Sequence, residues 1–283
     1  MTKRSTMAHL HGQLVIFSRL FAVLTWTAAV LPAQIVLNRR PGNAKVALPL
    51  RYWSGVASIL GIRINVVGAI ARNDEQPVVF VVNHASWLDI VVLGAVLPGC
   101  FIAKADVGRW PIVRTIAGAG RTIFVSRRRA STKREQSELS RRLNAGDNLI
   151  LFPEGTTSDG ARILPFRSSF LAIAERPQPP IVQPVTIVFD QLDGLPVCRR
   201  NRPLIAWYGD MDIASHYARI GQHNLRATIV LDEPVDPRIG RKALSRALET
   251  TIENRAAALR QGRIEDAFTI RSPPVTGGQN EKA

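Results

Sequence analysis

Two short runs, Val78-Val79-Phe80-Val81-Val82 and Leu149-Ile150-Leu151-Phe152, contain no polar residue. A strand with water on one face alternates apolar and polar side chains, so an unbroken apolar run predicts a strand covered on both faces. Further β-branched segments recur at 101–103, 123–125, 181–188 and 227–231, separated by stretches of helical character. This rhythm predicts an α/β domain with a mixed, largely parallel sheet flanked by helices. Residues 130–145 read as a polar, exposed helix with Leu139 and Leu143 on its inner side, and 236–260 as a longer closing helix.

Residues 14–37 are almost wholly apolar, broken by Arg19, Pro32 and Gln34, with Lys3-Arg4 before them and Arg39-Arg40 after. That length suffices for a helix to cross a hydrocarbon core of about 30 Å. No small-x-small cleavage site precedes the next charges, so a cleaved signal peptide fits poorly. Positive charge on both flanks removes the asymmetry that orients a crossing, which leaves a spanning helix and a helix lying in one leaflet both open. Residues 51–62 read as a short amphipathic helix. The expected organisation is a membrane-associated segment at 1–62, a catalytic domain at 63–270 and a disordered tail at 271–283, whose Pro, Gly and polar residues have almost nothing to bury.

The formal charge of +15 comes mostly from arginine and calls for an anionic partner. Single-stranded nucleic acid needs exposed aromatics interleaved with charge, whereas aromatics are 6% of this chain and several lie inside apolar runs. The apolar segment at 14–37 favours membrane lipids as the expected partner over nucleic acid, with a basic nucleic-acid or membrane-surface binding protein as a remote alternative. The two cysteines, Cys100 and Cys198, have no second Cys or His at ligand spacing. Two small buried thiols are expected, with neither a disulfide nor a metal site.

Asn83-His84-Ala85-Ser86-Trp87-Leu88-Asp89 follows the first apolar run directly. Polar side chains at the end of a buried strand are delivered to one edge of the sheet, where α/β folds keep their sites. Ser86 and Asp89 form a capping-box pattern that would start a helix at Trp87 and leave His84 just before it. In that geometry the Asp89 carboxylate accepts from one ring nitrogen of His84 and leaves the other free as a base. There is no G-x-S-x-G elbow, and neither cysteine lies near a histidine in a catalytic pattern. The substrate must then bring its own hydroxyl, which points to direct transfer from an activated acyl donor.

A second constellation, Phe152-Pro153-Glu154-Gly155-Thr156-Thr157-Ser158, follows the other apolar run. Pro153 ends the strand, Gly155 permits a close turn, and Glu154 is placed to meet hydroxyls or an ammonium. Arg127, in Gly120–Arg127, and Arg167, after Leu164-Pro165-Phe166, each end an apolar stretch and suit a phosphate or carboxylate.

In this order and spacing the chain resembles the glycerolipid acyltransferase family typified by bacterial lysophosphatidate acyltransferases. NHASWLD looks like its His-four-Asp block, GRTIFVSR its second, FPEGTTS its third, and IVQPV around Pro184 its fourth, over roughly residues 75–190. The resemblance implies His84 as catalytic base with Asp89 behind it. It also implies substrate contacts among Asn83, Ser86, Arg127, Glu154, Gly155, Thr156, Thr157, Arg167 and Pro184. Acyl carrier protein or acyl-CoA would be the thioester donor and a lyso-lipid the acceptor, without metal or organic cofactor, at the cytoplasmic face of the inner membrane. Two positions depart from the lysophosphatidate pattern: Thr157 stands where arginine is common, and Arg167-Ser168-Ser169 where Lys-x-Gly is common. EGTTSDG, VQPV and AWYGDMD look like the ornithine-lipid branch, whose acceptor is zwitterionic and phosphorus-free. Lyso-ornithine lipid is the expected acceptor, with lysophosphatidate as the alternative.

Overall fold

A computed structural model describes residues 3–40, 42–71, 76–104, 115, 118–125 and 132–263. The tail expected at 271–283 and Arg127 lie outside the described residues.

Two helices, α1 (Lys3–Leu37) and α2 (Ala44–Ile59), precede the first strand, β1 (Ile62–Gly68). Then come β2 (Val78–Val82), α3 (Leu88–Val96), β3 (Cys100–Lys104), β4 (Ile123–Val125), α4 (Thr132–Asn144) and β5 (Leu149–Leu151). The chain continues with β6 (Ile181–Leu192), β7 (Leu195–Pro196), α5 (Ile213–Ile220), β8 (Leu225–Leu231) and α6 (Arg241–Arg260). The sheet order is β1-β8-β6-β2-β5-β3-β4, with β7 hairpinned onto β6. All pairings are parallel except β6 with β8 and β6 with β7, so the sheet is mixed and largely parallel, flanked by helices.

All five residues of β2 are buried because its two faces meet different helices. Val78, Phe80 and Val82 pack with Val56, Val91 and Val92 of α2 and α3, while Val79 and Val81 pack with Leu244, Leu248 and Ile252 of α6. The two-residue period of the strand thus divides one apolar run between two cores.

Several expectations need correction. The helix expected at 51–62 begins at Ala44 and ends at Ile59, because Gly61 takes φ 71°, a left-handed value that stops a helix, and Ile62 starts β1. β1 was not expected as a strand; it pairs with β8 only and leaves Arg63, Asn65 and Val66 to solvent. Beyond residue 188, β6 runs on to Leu192 and turns through Asp193-Gly194, both at positive φ, as a tight hairpin needs. The Cys100 thiol is buried as expected, but Cys198 is exposed. Its segment follows that hairpin as a polar turn, with the Cys198 amide donating to Asn201 Oδ1 at 2.7 Å.

The first three helices cross at close range. A Cβ on Gly55 would lie 2.6 Å from Trp26 Nε1, and one on Gly94 would lie 2.4 Å from Trp53 Cδ1. Trp26 also donates to the Tyr52 carbonyl at 3.1 Å. Near its middle and at its C-terminal end α1 is fastened to the domain. Arg19 donates to the carbonyls of Gly221 and His223 and to Asn224 Oδ1, and Tyr217 Oη donates to the Ile16 carbonyl. Towards the C-terminal end, Gln34 and Asn38 donate to the Ala119 carbonyl at 3.3 and 2.9 Å.

Gly94→Ala is expected to lower unfolding free energy by about 1–3 kcal/mol, the usual cost of forcing a group into a filled core. Denaturant melts of the two proteins in detergent measure it, and an unchanged midpoint would mean that Trp53 repacks without strain.

Candidate active site

The parallel β2–β6 ladder ends at Val82 and Val185, and the Asn83 side chain extends it by one step. Its amide donates to the Ile187 carbonyl and accepts from the Ile187 amide, both at 2.9 Å. Asn83 is thereby used to hold the next residue, His84, at the carboxyl edge of the sheet. Three further backbone bonds fix the loop: Ser158 N–H donates to His84 O, Trp207 N–H to Ala85 O, and His84 N–H to Glu154 Oε1 at 2.6 Å.

One oxygen organises the loop's other side. Asp89 Oδ2 accepts from Ala85 N–H at 2.7 Å and Ser86 N–H at 2.9 Å, and lies 2.8 Å from His84 Nδ1. With two amides already donating to that oxygen, Nδ1 is assigned as the protonated nitrogen, which leaves Nε2 with its lone pair. His84 is 17% exposed, against 1% for Asp89. The helix itself starts at Leu88 rather than Trp87, because the Ser86 hydroxyl makes only a long 3.4 Å contact to Leu88 N–H and the carboxylate does most of the capping.

The imidazole lies on a shelf that the sequence reading did not pick out. Phe152 stacks on it with ring centroids 4.0 Å apart and 16° between planes. Phe152 ends the apolar run of β5, and β5 pairs with β2, so its place at this edge follows from the sheet order. Behind the loop, Trp87 Nε1 donates to Nδ1 of the fully buried His216, tying the start of α3 to α5. Burial is the main cause that keeps the His216 imidazole below its ordinary value and neutral.

The third sequence block meets this loop from below. Glu154 is 2% exposed and turns inward, with Oε1 on the His84 amide and Oε2 on the Leu164 amide at 2.8 Å. It therefore holds the loop, and both its oxygens are used within the protein. Burial pushes its carboxyl up to about 7, against the pull of the two amide hydrogen bonds. Gly155 adopts φ 68°, Thr156 is exposed and Thr157 half-buried. Arg167 is exposed, its amide bonded to the Pro153 carbonyl, and its stem would lie 3.7 Å from a Cβ on Gly155. Ser86 is fully buried within the loop. Pro184 sits in β6 opposite Val81, inside the sheet rather than at its edge, with its carbonyl accepting from Asp232.

Beside the loop lies a cavity of about 180 Å³ bounded by Asn83, Ala85, Asp89, Gly160, Arg202 and Arg260, among others. Arg202 and Arg260 are far from the four blocks, and nothing in their local sequence marks them.

A family model described as Acyltransferase matches residues 63–188. The lyso-ornithine lipid O-acyltransferase of Brucella abortus (strain 2308) is 37% identical over 263 residues, covering 89% of this chain and 96% of that protein. That of Rhizobium meliloti (strain 1021) is 36% identical over 257 residues, covering 87% of each. The crystal structure of a 1-acyl-sn-glycerophosphate acyltransferase from Thermotoga maritima is similar in fold, with TM-score 0.65 at 20% identity, over 89% of this chain and 97% of that one.

Glu154→Gln places an amide NH₂ against one of two backbone N–H donors and is expected to loosen the His84 loop, lowering kcat by about tenfold or more. The pH dependence has a definite sign. A carboxyl whose folded pKa lies above its unfolded one loses stability as pH rises from about 4.5 to about 7, because only the unfolded chain ionises there. Denaturant melts across that window should show a declining contribution in wild type that disappears in Glu154→Gln; parallel profiles would show that Glu154 does not titrate there.

Proposed function

We propose, for a chain that belongs to the acyltransferase family, that His84 is the base in transfer of a fatty acyl group from a thioester carrier to the hydroxyl of a lyso-lipid. The chain is an acyl-transferring enzyme. The observation that carries the mechanism is the imidazole with Nδ1 on Asp89 and Nε2 without a partner among the described residues. Nε2 takes the proton of the acceptor hydroxyl as its oxygen attacks the thioester carbonyl carbon. Asp89 stabilises the imidazolium so formed. Collapse of the tetrahedral intermediate breaks the carbon–sulfur bond, and the departing thiolate takes the proton from Nε2. The donor is proposed as acyl carrier protein or acyl-CoA.

Lyso-ornithine lipid is the proposed acceptor. The two relatives matched over nearly their whole length carry that activity in their names, and Thr157 fits it. A phosphate monoester carries up to two charges and is best held by a bidentate guanidinium, which a threonine cannot supply.

The protein associates with membrane, and α1 is proposed to lie in one leaflet at the cytoplasmic face of the inner membrane. Residues 10–37 are apolar enough to cross, with mean hydropathy 2.0. Yet the contacts from Ile16 to Asn38 clamp about 33 Å of helix to the catalytic domain, at 1.5 Å per residue. A crossing helix would carry that domain into the hydrocarbon. The free side of α1 presents Leu10, Leu14, Phe17, Phe21 and Leu24, all exposed, as an apolar stripe for lipid. On this reading residues 1–62 attach the protein and 63–270 carry the chemistry, with α2 contributing to both.

His84→Ala is expected to lower kcat by about 10²–10⁴, the usual worth of a general base, with a smaller loss of stability than Asp89→Asn, because it removes one of the three contacts to Asp89 Oδ2 and the stack on Phe152. Retention of more than about a tenth of the wild-type rate would exclude His84 as the base. Asp89→Asn should lose both rate and stability, because it weakens three bonds to one oxygen.

Competition between lyso-ornithine lipid and lysophosphatidate in one reaction gives the acceptor ratio. Wild type is expected to favour lyso-ornithine lipid, and Thr157→Arg to shift the ratio towards lysophosphatidate by about 1–3 kcal/mol. A wild-type preference for lysophosphatidate that Thr157→Arg leaves unchanged would overturn the acceptor assignment.

A further inference from the structure

Three arginines line the cavity beside the catalytic loop, and they differ in one respect. Arg226 is neutralised by a bidentate pair with Asp190, at 2.9 and 2.8 Å. The guanidinium groups of Arg202 and Arg260 have no hydrogen-bond or ion-pair partner among the described residues, although the Arg202 backbone is bonded within its turn. They come from separate elements, the 3-10 turn Arg202–Leu204 and the last turn of α6. Neither is free to swing wholly into water. Arg202 packs its stem over Gly160, where an added Cβ would lie 3.4 Å from its Cγ and Cδ, and 3.9 Å from the Ala85 Cβ. Arg260 is half-buried, and burial first, then the nearby Arg202 charge, holds its guanidinium below the ordinary value.

The Arg202 charge opposes that of Arg260 at one cavity, and Glu154, Asp159 and Glu253 act on Arg260 in the other direction without forming an ion pair with it among the described residues; an entering anion relieves the remaining repulsion while accepting several N–H donors. The cavity wall includes Asn83 and Ala85, the residues on either side of His84, which sets the two arginines beside the loop that carries the proposed base. Asp89 and Asp190 also face the cavity, which disfavours a doubly charged phosphate and suits a singly charged, planar carboxylate.

We propose that Arg202 and Arg260 form an anion subsite that receives the carboxylate of the acceptor's amino-acid headgroup. This rests on the acceptor proposed above. A zwitterionic, phosphorus-free amino-acid headgroup carries its negative charge on a carboxylate, whereas a lyso-lipid without one leaves both guanidiniums unanswered. The subsite makes the headgroup carboxylate a determinant of specificity, separate from the Thr157 loop.

The test compares lyso-ornithine lipid with its carboxamide analogue, at saturating donor, in wild type, Arg202→Gln and Arg260→Gln, with melting recorded for each. Wild type is expected to prefer the carboxylate by at least about tenfold in kcat/KM, and each variant to lose most of that preference while donor KM stays within about twofold. Loss of general packing would slow both acceptors alike, so the ratio isolates the charge contact. If Arg260→Gln does not fold, Arg202→Gln and Arg202→Lys carry the test, the lysine retaining part of the preference. Variants that keep the full carboxylate preference overturn the subsite. So does a raised donor KM with the preference intact, which would assign the two arginines to phosphate on the donor carrier. Wild type that turns over neither lyso-ornithine lipid nor its analogue overturns the acceptor reading itself, and the subsite with it.

Discussion

Asp89 Oδ2 gathers two backbone amides and the imidazole Nδ1 onto a single atom at the first turn of α3. A carboxylate there is favoured by the helix N-terminus and satisfies donors that the tight loop would otherwise leave buried and unpaired. The same atom fixes which ring nitrogen of His84 carries the proton. Loop conformation and tautomer are therefore one interaction, and neither can be altered alone. Everything around it serves to keep the loop in place: the Asn83 amide on β6, Glu154 beneath, Phe152 under the ring and Trp207 on the far side. The partner oxygen, Asp89 Oδ1, is buried without a hydrogen bond among the described residues, so the carboxylate keeps acceptor capacity beside the cavity.

Much of this was readable from residue order because strands buried on both faces announce themselves as unbroken apolar runs. Val78–Val82 and Leu149–Leu151 are neighbours in the sheet, so the polar residues after each arrive at the same edge. A histidine followed five residues on by an aspartate, starting a helix there, has few other geometries open to it. What escaped had no such local mark. β1 pairs with one strand among those described, and although Ile62-Arg63-Ile64-Asn65 alternates as a half-exposed strand does, it follows so closely on α2 that its first residue falls within the helical pattern of 51–62. Glu154 reads in sequence as a group open to substrate hydroxyls or an ammonium, and only the approach of the His84 and Leu164 amides turns it inward. Arg202 and Arg260 lie 58 residues apart and meet through the packing of α6 against the sheet, which residue order alone does not encode.

The contacts of α1 carry information that composition does not. At about 100° per residue, Leu10, Leu14, Phe17, Phe21 and Leu24 fall on one side of the helix, while Arg19, Trp26, Val30 and Gln34 fall on the other. Both sides are mostly apolar, so hydropathy alone sees a uniform run. The difference lies in where the few polar groups find partners. Arg19 reaches two carbonyls and an amide oxygen at the turn between α5 and β8, and Gln34 reaches the Ala119 carbonyl. An arginine in hydrocarbon is costly unless it is paired or faces protein, and here the catalytic domain supplies every acceptor. Gly61 leaves room for that guanidinium: a Cβ there would lie 2.4 Å from Arg19 Nη2. The helix end that frees β1 and the socket that holds α1 are thus built from the same glycine, which couples the seating of α1 to the edge of the sheet.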